Sequence, residues 1–137
     1  MEMPEHPRIA VIDDDESVRE SVLGLIESVG YDGALFGSAE EFLNSPHIDQ
    51  VTCLILDVRL PGLSGLQLYS RIQASERRIR TIFITAHIDE SACAWAMESG
   101  AVAFLYKPFQ AQALLSALRV AIAKTPALSF ERAARAK

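Results

Sequence analysis

Leu54-Ile55-Leu56-Asp57-Val58-Arg59-Leu60-Pro61-Gly62-Leu63-Ser64-Gly65 is the stretch whose reading decides the fold. It completes an apolar run from Val51 to Leu56, with Thr52 as its one polar member. The run breaks at a carboxylate and a Pro-Gly turn. Short apolar runs bounded by turn signals read as buried strands, usually parallel ones. A helix is the competing reading, but the run is short and rich in β-branched residues. Asp57 is therefore expected at the carboxyl end of a central strand, where open α/β sheets bind ligands. A lone Asp after a strand can equally be a turn former or a helix cap, so its meaning depends on the flanking chain.

Outward from this stretch, strand and helix patterns alternate five times. Arg8 to Ile12 is a short apolar strand that runs into Asp13-Asp14-Asp15. Val18, Val22, Leu25, Ile26 and Val29 recur at helical spacing, and Gly30 stops the pattern as a C-cap. Tyr31 to Phe36 is a weaker strand. Ser38-Ala39-Glu40-Glu41 has the capping-box form and opens a short helix through Leu43. After the central strand, Ser64 or Gly65 starts a third helix with Leu66, Leu68, Tyr69 and Ile72 as its apolar positions. Glu76-Arg77-Arg78 reads as a polar break. Thr81 to Thr85 is the fourth strand, and Asp89 or Ser91 caps a helix that ends at Gly100. Ala101 to Tyr106 is the fifth strand. A last helix runs to about Lys124 with Leu114, Leu115, Leu118 and Ile122 facing inward. This alternation predicts an α/β fold, a parallel sheet with helices on both faces joined by right-handed crossovers.

The 137 residues suit one domain with one core. Half are hydrophobic, which argues against disorder. With 13 basic and 18 acidic residues the net charge is −5, so direct nucleic-acid binding by this segment is not expected. Cys53 and Cys93 sit in apolar contexts and read as buried thiols of a reducing compartment. No apolar run approaches the ~18 residues of a membrane span, and the acidic start Met1-Glu2-Met3-Pro4-Glu5 has no signal-peptide core. A cytoplasmic location is expected. His6, His47 and His87 show no metal-ligand spacing, so zinc is not supported.

In such a fold all five strand-to-helix junctions share one sheet edge. Asp13, Asp14, Asp57, Thr85 and Lys107 all fall at these junctions. Carboxylates gathered there repel one another unless a cation intervenes. All-oxygen ligands suit Mg2+, which often shares itself with a phosphate. Lys107 adds a fixed positive charge and Thr85 a hydroxyl. Together these supply a nucleophile, charge neutralisation and oxygen clamps, the parts that phosphoryl transfer needs. Each part has a plainer reading: Asp14 or Asp15 as a helix cap, Lys107 as a surface lysine, Thr85 as a strand end. Their coincidence at one edge is what favours the chemistry.

The sequence resembles the receiver domain of bacterial two-component response regulators over about residues 8 to 124. The resemblance rests on Val11-Ile12-Asp13-Asp14-Asp15, Leu56-Asp57-Val58-Arg59-Leu60-Pro61-Gly62-Leu63-Ser64-Gly65, Ile84-Thr85-Ala86-His87 and Lys107-Pro108-Phe109. It is similar above all to receivers attached to helix-turn-helix output domains. The resemblance implies a flavodoxin-like sheet in the order 2-1-3-4-5 and makes Asp57 the phosphoacceptor. Asp13, Asp14 and Asp57, with the backbone carbonyl of Arg59, would hold Mg2+. Lys107 would pair with the phosphoryl group, and Thr85 would move onto it. Phe104 would turn inward in response, and the Lys107-Pro108 bond would be cis. Arg59, Ala86 and His87 vary in the family, and Arg59 and His87 tend to set phosphate lifetime. The face of the fourth helix, fifth strand and fifth helix, including Trp95 and Tyr106, would carry the output. Trp95 lies about 200° around its helix from Cys93 and Met97 and is expected to point outward. The implied function is a phosphoacceptor switch, not an enzyme, served by a sensor histidine kinase, able to form a homodimer on phosphorylation and controlling an output partner or domain of transcriptional kind.

Three other readings compete. A phosphatase of the haloacid-dehalogenase type would use Asp13 as nucleophile, but the chain has no late acidic pair. A flavodoxin-like binding module would need a Gly/Ser/Thr-rich loop where Asp13-Asp14-Asp15 stands. A degenerate receiver would lack some of the five site residues, and all are present. Residues 125–137 read as a C-terminal tail or a cut linker beyond a receiver at 1–124.

Overall fold

The central strand is buried on both faces, as an unbroken apolar run requires. Successive side chains of a strand point to opposite faces, and here Leu54 and Leu56 enter one core while Cys53 and Ile55 enter the other. The computed structural model describes residues 7–123. Its strands are β1 (Arg8–Ile12), β2 (Asp32–Phe36), β3 (Val51–Asp57), β4 (Arg80–Thr85) and β5 (Ala103–Tyr106). They alternate with α1 (Glu16–Ser28), α2 (Ala39–Leu43), α3 (Gly65–Ala74), α4 (Glu90–Glu98) and α5 (Ala111–Ala123). All pairings are parallel, in the order β2-β1-β3-β4-β5. The α/β architecture and strand order match the expectation. The tail expected at 125–137 lies outside the described residues.

One layer packs Phe42 of α2, Leu68, Tyr69 and Ile72 of α3, and Ala96 of α4 against the sheet. The other packs Val22 and Ile26 of α1 with Leu114 and Leu118 of α5. Each fully buried Leu, Ile or Phe stabilises the fold by roughly 1.5–3 kcal/mol. The helix ends follow from the residues that stop them. Gly30 and Gly100 take φ of 88° and 109°. Tyr31 then donates to the Ile26 carbonyl, and Ala101 to that of Ala96, closing both helices with left-handed caps.

Several local expectations are corrected. Tyr31, Ala101 and Val102 are not strand residues: Tyr31 and Ala101 spend their N–H groups on the helix caps, and β5 pairs with β4 only from Ala103. On α5 the inward positions are Leu114, Ala117, Leu118 and Ala121, with Leu115 and Ile122 half-buried at the margins. On α4 the buried residues are Ala92 and Ala96, while Met97 is exposed and Cys93 half-buried. Small residues let the α4 backbone approach the sheet, and the bulkier Met97 stays outside. Ser38 caps α2 as expected, but Glu41 reaches back to the Gly37 N–H, one residue short of a capping box. The full capping box is Ser64 with Gln67 at the start of α3. A short 3-10 turn at Ile48–Gln50, absent from the sequence reading, leads into β3.

Two glycines make opposite predictions. Gly65 opens α3 so close to the end of β3 that a Cβ there would run into the Asp57 carbonyl oxygen. Gly65→Ala should cost more than about 3 kcal/mol, because backbone, not a flexible tip, must yield. Gly24 lies exposed in α1 with nothing within 4 Å of the added atom. Gly24→Ala should stabilise by roughly 0.5–1 kcal/mol through helix propensity. Urea denaturation of the two variants checks both; a Gly65→Ala protein as stable as the parent would refute the close approach.

Candidate functional site

The strand order brings the ends of β1, β3, β4 and β5 together. Asp13 follows β1 directly, and its N–H donates to the Phe36 carbonyl at 3.1 Å. Asp57 is the last residue of β3. The next N–H, of Val58, is tied to the Ile84 carbonyl of β4 at 3.0 Å, and the Lys107 N–H to the Thr85 carbonyl at 2.7 Å. The positions are therefore set by sheet backbone before any side-chain attraction acts.

Asp13, Asp14 and Asp57 each bring a carboxylate oxygen within 4.8 Å of the other two. Asp13 is fully buried, Asp57 nearly so, and Asp14 faces solvent. The Lys107 ammonium spans the buried pair. Its Nζ lies 2.7 Å from Asp13 Oδ2 and 3.3 Å from Asp57 Oδ2. The other oxygens take backbone donors: Asp13 Oδ1 accepts from the Asp15 N–H at 2.9 Å and Asp57 Oδ1 from the Arg59 N–H at 3.1 Å. Burial, and then the charge of Asp13, push the Asp57 carboxyl up to about 6. Lys107 shifts upward: burial works against its charge, but the bonds and charges of Asp13 and Asp57 outweigh it. One cation between two buried anions leaves net negative charge, and all the nearby donor atoms are oxygens. That chemistry fits a small hard cation such as Mg2+.

The other expected residues separate into two groups. Thr85 is fully buried at the end of β4, and its Oγ1 accepts from the His87 N–H at 3.2 Å. Arg59, Ala86 and His87 are exposed around the cleft. Phe104 is half-buried, 5.9 Å from the Phe83 ring and 5.5 Å from the Tyr106 ring. Trp95 is 39% exposed and turns outward, yet its ring also meets Tyr69 edge-on at 5.9 Å. Tyr69 in turn meets Phe83 at 5.1 Å. An unbroken row of rings thus links Trp95 through Tyr69 and Phe83 to Phe104 and Tyr106. The Lys107-Pro108 bond is cis.

Two supporting residues were not legible from spacing. Arg19 of α1 donates from Nη1 to the Asp13 carbonyl at 2.6 Å. Glu40 of α2 accepts the Leu63 N–H at 2.7 Å and so holds the loop that follows Asp57, with Gly62 at φ 74° beneath it. This contact spans 23 positions, beyond any local periodicity. Asp13 and Asp14 also proved unequal: Asp15 is the α1 cap, accepting from Ser17 and Val18, which leaves Asp14 as the exposed acid of the cluster.

The raised Asp57 pKa has a definite sign. The folded chain holds that proton more tightly than the unfolded chain, whose Asp titrates at the ordinary value of 3.8. Stability from this group is present below that value and is lost as pH rises through about 6. Asp57→Asn removes the charge while keeping the shape. In chelator, the variant should melt a few degrees above the parent at pH 7.5, with the gap closing near pH 4. A gap that is constant with pH would contradict the assignment.

The described residues contain no helix long and apolar enough to cross a membrane. Residues 9–119 match the family model of the response regulator receiver domain. Nodulation protein W of Bradyrhizobium diazoefficiens is 47% identical over 110 residues, covering 80% of this chain and 48% of that protein. Response regulator protein TodT of Pseudomonas putida is 39% identical over 118 residues, covering 86% and 52%. The crystal structure of full-length FixJ from B. japonicum superposes with a TM-score of 0.83 at 36% identity, covering 94% of this chain and 64% of that one. The chain spans about half the length of the curated relatives it matches. A parallel sheet ordered β2-β1-β3-β4-β5, with acids and a lysine meeting at its carboxyl edge and this family match over most of its length, makes the chain a member of the response regulator receiver domain family of two-component signalling.

Proposed function

We propose that the chain is a phosphoryl-accepting switch in which Asp57 takes a phosphoryl group from a phosphohistidine of a sensor kinase. The observation that carries this is the pairing of Asp13 and Asp57 under one lysine, with Asp14 at the open side. Asp13, Asp14, Asp57 and the Arg59 backbone carbonyl would hold Mg2+, which when bound neutralises charge on the transferring phosphoryl oxygens. An Asp57 oxygen forms the new O–P bond as the donor's N–P bond breaks, and the imidazole leaves. Lys107 then exchanges part of its bond to Asp57 for a phosphoryl oxygen, at no cost in new desolvation. Thr85 offers its hydroxyl proton, since its oxygen already accepts from His87. Arg59 and His87 flank the cleft and would govern access of the water that removes the phosphate.

Asp57 is favoured over Asp13 as nucleophile. Asp13 has no exposed surface while Asp57 keeps some, and the Lys107 and backbone bonds to Asp57, at 3.3 and 3.1 Å, are longer than those to Asp13, at 2.7 and 2.9 Å. That speaks against the phosphatase reading. An apolar cleft of about 760 Å³ lined by Val18, Val22, Leu25 and Phe109 opens beside Lys107 and offers a protein donor a surface. Transcriptional output and dimerisation through the face of α4, β5 and α5 are part of the same proposal. They are supported by relatives named as transcriptional regulators and by exposed Trp95, Met97 and Tyr106 on that face.

Intact-mass spectrometry after acetyl phosphate and Mg2+ should show one added phosphoryl group. Asp57→Asn should abolish it, and chelator should suppress it in the parent. Transfer to Asp57→Asn at the parental rate would overturn the proposal.

The ring row yields a second expectation. If Thr85 moves onto the phosphoryl group and Phe104 turns inward, Phe83 and Tyr69 transmit a packing change to Trp95, the one tryptophan. Beryllofluoride with Mg2+ should change Trp95 emission, and Phe104→Ala should remove most of that change. An unaltered signal in a protein saturated at Asp57 would refute the relay.

A further inference from the structure

The opposite edge of the sheet carries a second polar site that phosphoryl transfer does not use. Glu76-Arg77-Arg78-Ile79-Arg80 leads into β4, with Ile79 buried as its anchor. Arg77 is committed: its Nε and Nη2 lie 3.1 and 2.9 Å from Asp49 Oδ1. Arg78 and Arg80 have no acceptor among the described residues, and the Arg80 Nε is buried without a hydrogen-bond partner. A buried donor left unpaired costs about 1–3 kcal/mol and is rare enough in native folds to require an explanation. Beside these two arginines a cavity of about 670 Å³ opens, walled by Tyr69, Gln73, Ser75 and Ser99. That volume is in the range of small-molecule sites, roughly 300–1,000 Å³.

The wall donors are already spent. Tyr69 Oη donates to the Ser99 carbonyl at 3.2 Å, and Gln73 Nε2 lies 2.5 Å from the same carbonyl. The Arg78 and Arg80 guanidinium groups stay unengaged, and Glu76 is the one acid on the lining. Solvated surface arginines are the plain alternative, and Arg78 alone would not exceed it. The unpaired nitrogen of Arg80, a cavity that both arginines line and a cationic cluster on a chain of net charge −5 together do. We propose that this cavity is a binding site for a small phosphate-bearing molecule, with the Arg78 and Arg80 guanidinium groups clasping the phosphate oxygens. The planar fork of Arg matches such oxygens in bidentate fashion, which an ammonium cannot do.

The test is 15N-edited NMR of the arginine Nε–Hε signals of the 137-residue chain, without Mg2+ and at fixed ionic strength. The probes are inorganic phosphate, glycerol 3-phosphate and sodium chloride. Without metal the Asp13–Asp57 edge repels anions, and Arg19 at that edge serves as the control signal. The expected result is a saturable shift of the Arg78 and Arg80 signals with a static Arg19. Saturation at lower concentration by glycerol 3-phosphate identifies an esterified phosphate as the ligand; saturation at lower concentration by inorganic phosphate identifies the free ion. Arg78→Ala, on an exposed loop, and Arg80→Lys should each weaken binding at least tenfold. A shift that grows linearly, one that chloride reproduces, or full affinity in both variants would overturn the site.

Discussion

Two buried carboxylates facing each other under one ammonium are the constraint on which the rest of this chain depends. At 4 Å, unit charges interact by roughly 4 kcal/mol at an effective dielectric constant of 20. Asp13 and Asp57 therefore drive each other apart unless something else fixes them. Lys107 offsets part of the repulsion; burial first, and then the charge of Asp13, still push the Asp57 carboxyl up to about 6. What holds the acids in place is the sheet itself. Every strand end at the site is tied to its neighbour by backbone: Asp13 to Phe36, Val58 to Ile84, Lys107 to Thr85. The cores on both faces of β3 make that frame stiff, so the electrostatic strain stays local instead of loosening the fold.

The strain is also useful chemistry. A carboxylate whose charge is disfavoured has more to gain from a cation and from esterification than a solvated one has. On the proposed function, Lys107 would serve both states with one side chain. Bonded to Asp13 and Asp57, it holds the two carboxylates together. If Asp57 carries a phosphoryl group, the same ammonium still faces Asp13 and gains a new anion without crossing the cleft. Arg19 and Glu40 brace this arrangement from outside, one on the Asp13 carbonyl and one on the loop after Asp57.

Much of this was legible in the chain because it is written at short range. The two-sided burial of β3 is in the apolar run Val51 to Leu56, and Gly30 and Gly100 mark helix ends through conformations that other residues rarely adopt. Once alternation fixes a parallel sheet, Asp13, Asp57, Thr85 and Lys107 must share an edge. The parts that failed are those where several spacings compete or where the contact is remote. On α4, helical angle set Trp95 opposite Cys93 and Met97, yet Met97 is exposed and Ala92 and Ala96 are buried, because the closeness of helix to sheet decides which side faces inward. Glu40 meets Leu63 across 23 positions, and Arg19 meets a backbone carbonyl, which leaves no side-chain signature.

The composition of α4 bears on how a local event at Asp57 could reach the surface. Helices α3 and α5 seat Leu68, Tyr69 and Ile72, or Leu114 and Leu118, against the sheet, whereas α4 buries Ala92 and Ala96. An alanine buries far less apolar area than a leucine, so α4 is held by correspondingly less free energy. Shifting α4 by a fraction of a turn breaks little, while the same shift of α3 or α5 would open cavities around large side chains. The ring row runs to this weakly seated helix, from Phe104 through Phe83 and Tyr69 to Trp95. The Trp95–Tyr69 and Tyr69–Phe83 contacts are edge-to-face, worth about 0.5–1.5 kcal/mol each, while Phe83 and Phe104 meet at a tilt of 37°. If Phe104 turns as proposed, it would act on α4 through these rings, and a helix seated on two alanines would resist less than one seated on leucines.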